Sequence, residues 1–228
     1  MEEFHVAIDG PAGSGKTTVS KLLSKRLGFD YLDTGAMYRA IGVYLNSLNL
    51  KPDDVDEIEK ALEKVKLEYK GGRIYLNGKD VEKFIRTPQA GLLASDFAKL
   101  PVVRRYLTEI QRKICKGRKI IVDGRDIGTV VLPNAHLKIF LTASFEERVR
   151  RRMKEMKEKG MKVSRKEIEE EVRRRDKQDS ERETAPLKRA KDAIEIDTTN
   201  LTIEEVVSKI EEMILESLGG KFRENHRC

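Results

Sequence analysis

Phe4-His5-Val6-Ala7-Ile8 is a short apolar run that stops at Asp9-Gly10, the pattern of a strand buried in a parallel sheet. From Lys16 to Leu27 the spacing turns helical, and Gly28 stands where such a helix should stop. Phe29–Leu32 predicts a second strand, Ala36–Leu48 a second helix and Val55–Val65 a third. Lys66–Lys70 and Arg73–Leu76 then alternate apolar and polar residues around Gly71-Gly72, a hairpin pattern, with a further turn at Asn77-Gly78. Thr87-Pro88 reads as an N-cap followed by proline in the first helical position, opening helices over Pro88–Ala98 and Pro101–Lys116. Lys119–Val122, Leu137–Leu141 and Ala193–Ile196 are again short apolar strands. Ser144, Ser164 and Thr202 each precede a glutamate by three residues, the spacing of a capping box at a helix start. Leu201, Ile203, Val206, Val207, Ile210, Met213 and Ile214 form the apolar face of a closing helix.

Short buried strands alternating with helices predict an α/β fold with a parallel sheet and right-handed crossovers. The hairpin region breaks that rhythm, so residues 65–99 are expected to form an inserted lobe on a single domain whose core is 1–64 and 100–228. Hydrophobic residues make up 39% and charged residues 37% of the 228, which places the chain among globular and unusually charged proteins. Abundant Lys and Glu with scarce Gln and no Trp is a heat-adapted composition.

The formal net charge of +7 favours anionic partners. Its basic residues between Arg148 and Arg189 are interleaved with acids, as on solvated helices, and Lys221–Arg227 reads as a frayed end. Cys115 and Cys228 form no C-x-x-C pair, which fits a reducing compartment. Met1-Glu2-Glu3 puts acids where a signal peptide carries positive charge, and no apolar run reaches the roughly 18 residues of a membrane span. A cytoplasmic protein without a membrane partner is expected.

Gly10-Pro11-Ala12-Gly13-Ser14-Gly15-Lys16-Thr17 matches G-x-x-x-x-G-K-[ST] at every fixed position, after a strand and at the start of a helix. Such a loop turns backbone N–H groups inward around phosphate oxygens, and the helix N-terminus adds its positive end. Lys16 is then placed for the β- and γ-phosphates of ATP and the Thr17 hydroxyl for Mg²⁺, with Thr18 alongside. Ile120-Ile121-Val122-Asp123 is followed by Gly124, where hydrolytic ATPases place a water-orienting glutamate, and no asparagine precedes a lysine as in a guanine-reading N-K-x-D. Transfer to a small-molecule acceptor is favoured over hydrolysis.

Three further clusters supply charge for an acceptor. Asp33-Thr34-Gly35-Ala36-Met37-Tyr38-Arg39 enters a helix, with Arg39 able to fork a phosphate. Asp123-Gly124-Arg125-Asp126 leaves the carboxyl end of a strand, where open α/β sheets bind ligands. Arg175, Asp179 and Arg182 follow i, i+4, i+7 spacing, which places them on one face of a helix. Singly, each reads as well as a surface cation, a polar turn or an exposed ion pair worth little.

Together, I-D-G-P-A-G-S-G-K at 8–16, L-D-T-G-A-M-Y-R at 32–39, I-R-T at 85–87, V-D-G-R-D-I-G-T-V-V at 122–131 and R-D-x-x-D…A-P-L from Arg175 to Leu187 resemble bacterial cytidylate kinases over nearly the whole chain. The resemblance implies a P-loop kinase fold, with a central parallel sheet flanked by helices, and a short lid at about 154–164. It also implies Mg²⁺-dependent transfer from ATP to CMP or dCMP. By matching position, Thr34, Arg39, Ser95, Arg104, Asp123, Arg125, Arg175 and Asp179 would contact the acceptor. Asp126 would support them, and Arg182 would bridge the phosphates beside Lys16 and Arg125. The competing readings are a kinase of another small acceptor, such as dephospho-coenzyme A, and a nucleic-acid-stimulated ATPase. The D-T-G-A-M-Y-R and D-G-R-D segments argue against the first. The missing glutamate and the lack of aromatic stacking motifs argue against the second, so no nucleic-acid partner is expected. No long exposed apolar seam is legible, so a monomer is expected.

Overall fold

A computed structural model describes residues 3–224; Cys228 and the end of the basic stretch at Lys221–Arg227 lie outside the described residues. The chain runs β1 (Phe4–Asp9), α1 (Lys16–Leu27), β2 (Asp30–Asp33), α2 (Thr34–Ser47) and α3 (Val55–Lys64). It continues through β3 (Leu67–Lys70), β4 (Arg73–Leu76), β5 (Lys79–Asp80), α4 (Glu82–Ile85), α5 (Pro88–Phe97) and α6 (Pro101–Cys115). Then come β6 (Lys119–Gly124), a π-helical turn (Ile127–Val131), β7 (Leu137–Thr142), α7 (Phe145–Glu158), α8 (Arg165–Glu181), β8 (Ile194–Asp197) and α9 (Ile203–Glu224). The end expected to fray from Lys221 is helical as far as Glu224.

The main sheet has five strands in the order β2-β6-β1-β7-β8, every neighbouring pair parallel. Helices on both faces account for the continuous apolar strand sequences. One core cluster packs Phe4, Val6, Ile8, Val19, Leu23, Ile139, Val207, Ile210 and Ile214 between sheet, α1 and α9. The other joins Ala7, Leu32, Met37, Ile41 and Val122 to Leu67, Ile74, Leu76, Ile85 and Phe97. Residues 65–99, expected as an insert, hold an antiparallel sheet in the order β3-β4-β5 with α4 and α5, and they share this second core with α2.

Helix ends follow the sequence with two exceptions. Thr87 accepts from the Ala90 N–H ahead of Pro88, Gly28 closes α1 in the left-handed region, and Ser164 and Glu167 form a reciprocal capping box. Thr202 and Glu205 do the same for α9. The box expected at Ser144 is only half made: Ser144 caps Glu147, but the Glu147 carboxylate is taken by Arg150 and Arg151. The second exception is α8, which ends at Glu181. Arg182 is extended at φ −62°, ψ 139°, so Arg175, Asp179 and Arg182 do not share one helix face. None of the described helices is long and apolar enough to cross a membrane.

Candidate active site

All the charged clusters meet at the carboxyl ends of β1, β2 and β6, where an open parallel sheet leaves room for ligands. The loop from Gly10 to Gly15 links β1 to α1. Gly10 has φ +148°, and a Cβ there would meet the Leu141 carbonyl oxygen at 2.0 Å, so only glycine lets this loop leave the sheet beside β7. Gly15 is the N-cap of α1 at φ 95° and supplies no capping side chain, so the first amides of α1 face the loop. Lys16 donates to the Pro11 carbonyl at 2.7 Å and to the Ser14 hydroxyl at 3.3 Å. Burial, reinforced by the nearby Arg125 charge, pushes the Lys16 ammonium well below its usual range; Asp123, Asp179 and Asp9 pull it back up. These influences put Lys16 beside the acceptor clusters.

α7 buttresses the loop from outside. Arg148 donates to the Ala12 carbonyl at 3.2 Å and forks the Asp176 carboxylate at 2.8 and 2.7 Å. Arg151 donates to the Gly13 carbonyl at 3.4 Å and to Thr198, whose hydroxyl in turn donates to the Ser14 carbonyl. Thr18 is exposed on the first turn of α1.

The Thr17 hydroxyl donates to Asp123 Oδ2 at 2.7 Å, and the Tyr31 hydroxyl donates to the same oxygen at 3.2 Å. Burial, with Asp33 adding negative charge, pushes the Asp123 carboxyl up to about 6. The Thr34 hydroxyl donates to the Asp123 carbonyl at 2.7 Å, fastening the ends of β2 and β6 together. Asp123, expected against the acceptor, is therefore in contact with the donor-side threonine. Among the described residues no group of three or more His, Cys, Asp or Glu could hold a metal. A lone hydroxyl–carboxylate pair suits Mg²⁺, which keeps several waters and takes phosphate oxygens as ligands.

Arg125 Nε donates to Asp179 Oδ2 at 2.7 Å, joining the loop after β6 to α8. Burial raises the Asp179 carboxyl, but Arg125, then Arg182 and Arg175, outweigh it and hold it below the usual carboxylate range. Arg182, although outside α8, reaches Asp179 at 3.5 Å and Asp126 at 3.8 Å. Asp126 accepts from Arg104 Nη2 at 2.5 Å, and both of these side chains are buried. Arg104 also lies 5.4 Å from the centre of the Tyr38 ring. The result is one chain of alternating charge, Arg125–Asp179–Arg182–Asp126–Arg104, buried at Asp126 and Arg104 and half-buried at its other members. Arg175 pairs instead with Glu171 at 3.5 Å, and burial, with Arg125 nearby, lowers its guanidinium. Ser95 on α5 donates to Gln178 of α8 at 2.5 Å.

Arg39 does not stand alone. Its Nη2 and Arg86 Nη1 both donate to Asp33 Oδ2 at 2.9 Å, while Asp33 Oδ1 caps α2 at the Ala36 N–H. Burial raises the Asp33 carboxyl, and the two guanidiniums pull it below its usual range. Asp9 accepts the Ile127 and Gly128 N–H groups at 2.8 and 2.7 Å, tying the start of the phosphate loop to the turn behind Asp126. The sequence gives no role to Asp9, Asp33, Arg86, Gln178 or Arg148, although Asp9, Asp33 and Arg86 lie inside the segments 8–16, 32–39 and 85–87.

A phosphate loop on the central strand of a parallel sheet, facing a half-buried row of arginines, defines a P-loop kinase of small molecules. Within that class, residues 6–216 match the cytidylate kinase family. The chain is 56% identical over 216 residues to the cytidylate kinase of Thermotoga sp. (strain RQ2), covering 94% of this chain and 98% of that one. It is 57% identical over 211 residues to that of Fervidobacterium nodosum, covering 92% and 96%. The chain belongs to the cytidylate kinase family. A crystal structure of an uncharacterised protein from Eubacterium ventriosum aligns over 94% of this chain and 99% of its own, with a TM-score of 0.51 at 17% identity, a likeness of fold alone.

Proposed function

We propose that this protein transfers the γ-phosphoryl group of ATP to the phosphate of CMP, and of dCMP, giving ADP and the cytidine diphosphate. The half-buried Arg125–Asp179–Arg182–Asp126–Arg104 chain beside Lys16 carries the reading. An acceptor that brings its own phosphate and polar base can exchange these internal pairings for its own. The nucleophile is already an anionic phosphate oxygen, so no strong general base is needed; in-line positioning and charge neutralisation supply the rate. Gly10–Thr18 hold the ATP phosphates, with Lys16 on the β- and γ-oxygens. Thr34, Arg39 and Arg125 take the acceptor phosphate. Arg175 and Asp179 take its sugar, and Ser95, Arg104 and Asp126 its base. Arg125 and Arg182 would meet charge developing on the transferring group. Thr17 and Asp123 would hold Mg²⁺, which when bound neutralises charge on the β- and γ-phosphates.

Residues 65–99 act as the acceptor-binding lobe and 154–164 as the lid that excludes water. The cytoplasm is the expected compartment. A monomer is our reading, since exposed large apolar side chains such as Phe84 on α4, Leu92 on α5 and Leu215 on α9 belong to separate elements. A coupled ADP-release assay across nucleoside monophosphates tests the function. CMP and dCMP are expected to exceed AMP and GMP by at least about 100-fold in kcat/KM, since the wrong base leaves buried polar groups unpaired. Equal turnover of purine monophosphates, or equal ADP release without acceptor, overturns the reading.

A further inference from the structure

Arg39 is held to Asp33 through Nη2 at 2.9 Å. Its guanidinium is folded back over Gly35, where a Cβ would come within 3.2 Å of Arg39 Nη1 and 3.1 Å of Asp33 Oδ1. Its Nε is buried without a hydrogen-bond partner, so the present arrangement leaves part of its donor capacity unused. Releasing Arg39 would strip a buried carboxylate of a counter-ion, which is costly unless a second cation remains. That second cation is present, and it comes from the other lobe. Arg86 donates to Asp33 through Nη1, while its Nε and Nη2 hold Glu82 Oε2 of α4 at 3.0 and 2.9 Å. Glu82 is fixed in turn by the Ile74 N–H of β4. Arg86 is thus anchored in the 65–99 lobe and reaches across to the N-cap of α2 in the core. A cavity of ≈ 60 Å³ lies between the two, lined by Lys21, Tyr31, Asp33, Tyr69, Glu82 and Arg86 among others. That is far below the roughly 300 Å³ at which small-molecule sites begin, so the space is too small for a nucleotide.

We propose that Arg86 is a positioning residue for the acceptor: it neutralises Asp33 so that Arg39 can exchange that carboxylate for the acceptor phosphate. This rests on the assignment of Arg39 to the acceptor phosphate. Arg86 itself touches no substrate. It couples lobe placement to phosphate capture because only a lobe seated on the core brings Arg86 to Asp33. A lysine could not replace it, since one ammonium cannot fork Glu82 and reach Asp33 with fixed geometry.

The test compares CMP with cytidine, which lacks the phosphate, as ligands of the full chain in competition binding. In Arg86→Gln the dissociation constant for CMP is expected to rise about tenfold, a figure reduced for the partial exposure of Arg86, while that for cytidine and the KM for ATP stay unchanged. Adding Asp33→Asn, which keeps an oxygen for the Ala36 N–H but removes the charge holding Arg39, should restore CMP binding. A merely structural role for Arg86 would weaken CMP and cytidine alike and would not be relieved by Asp33→Asn. Either of those results, or unchanged CMP binding, overturns the proposal. Wild-type protein that fails to phosphorylate CMP would instead overturn the function.

Discussion

Asp123 shows how one residue can weaken the fold and serve the site together. Its carboxyl is raised to about 6 by burial and by Asp33, so the folded protein prefers it protonated. The stability it contributes is fully present below its unfolded value, near 4, and is lost as pH rises through about 6. A charge-neutral Asp123→Asn protein should therefore melt above wild type at pH 8, with the gap closing as pH falls below 6. Activity runs the other way, because the Thr17–Asp123 pair needs its negative charge. We expect kcat/KM for ATP to decline below about pH 6 with the slope of a single proton. Asp123→Asn should lose that limb and about 10²–10³-fold in kcat, the scale of preorganised electrostatic groups. Thermal melts and a pH–rate profile from 5 to 9 check both halves. An unshifted melt at pH 8, or full activity at pH 5, contradicts the assignment. The sequence marked Asp123 through D-G-R-D but could not say which ligand it faces. That follows from the Leu32–Val122 and Asp33–Asp123 pairing of β2 with β6, which brings Thr17, Tyr31 and Thr34 onto one strand end. Such register is set by long-range pairing and leaves no mark in local spacing.

Among the elements, those with clear periodicity or explicit caps were legible to within a residue or two, and β5, α4 and the π-helical turn were not. The expected strands at Phe29–Leu32 and Ala193–Ile196 each sit one residue later, at Asp30–Asp33 and Ile194–Asp197. β5, α4 and the π-helical turn lack a sequence period because each is held by its surroundings. The turn, for example, hangs on the Asp9 carboxylate through two amides. The end of α8 was misjudged for a related reason. Arg182 fits the helical spacing, but its Nε donates to the Ala185 carbonyl and the Leu187 N–H donates to the Asp179 carbonyl, turning the chain away. Even so, Arg182 stays within 3.5 Å of Asp179, whereas Arg175 turns to Glu171. Asp179→Ala should leave Arg125 and Arg182 without a shared counter-ion and remove an acceptor for sugar hydroxyls. Truncating one partner of a buried pair costs about 2–5 kcal/mol, so the KM for CMP should rise at least about 30-fold, with that for ATP little changed. Arg182→Ala should fall mainly on kcat, since its charge is needed most as the phosphoryl group leaves ADP. Steady-state kinetics with each substrate varied in turn separate the two. A matching rise in both KM values for Asp179→Ala would mean that the whole cleft had collapsed.

At the scale of the molecule, closure must respect how residues 65–99 are seated. The rhythm of the sequence showed that they interrupt the α/β core, but it could not show that Leu67, Ile74, Leu76, Ile85 and Phe97 would join the same apolar cluster as Met37, Ile41 and Leu45. A segment packed this way does not swing as a free domain, because opening it would expose a shared core. Its polar edge is different. Ser95 meets Gln178 of α8, Arg104 holds the Ala98 carbonyl, and Arg86 spans to Asp33. These contacts join α5 and the loop after it to the charge chain that would hold CMP. Binding of CMP should therefore tighten α4, α5 and the last turns of α8, and leave the α2–β4 packing as it is. Hydrogen exchange followed by mass spectrometry, with and without saturating CMP, reads this directly. Slower exchange is expected across 82–98 and 175–182, with little change in α2, whose buried amides are already protected by the core. ATP without CMP should act mainly on 10–18, on 148–151, where α7 meets the phosphate loop through Arg148 and Arg151, and on the lid at 154–164. If CMP slows exchange only in 154–164 and leaves 82–98 untouched, then the segment does not close on the acceptor, and the lid alone seals the site.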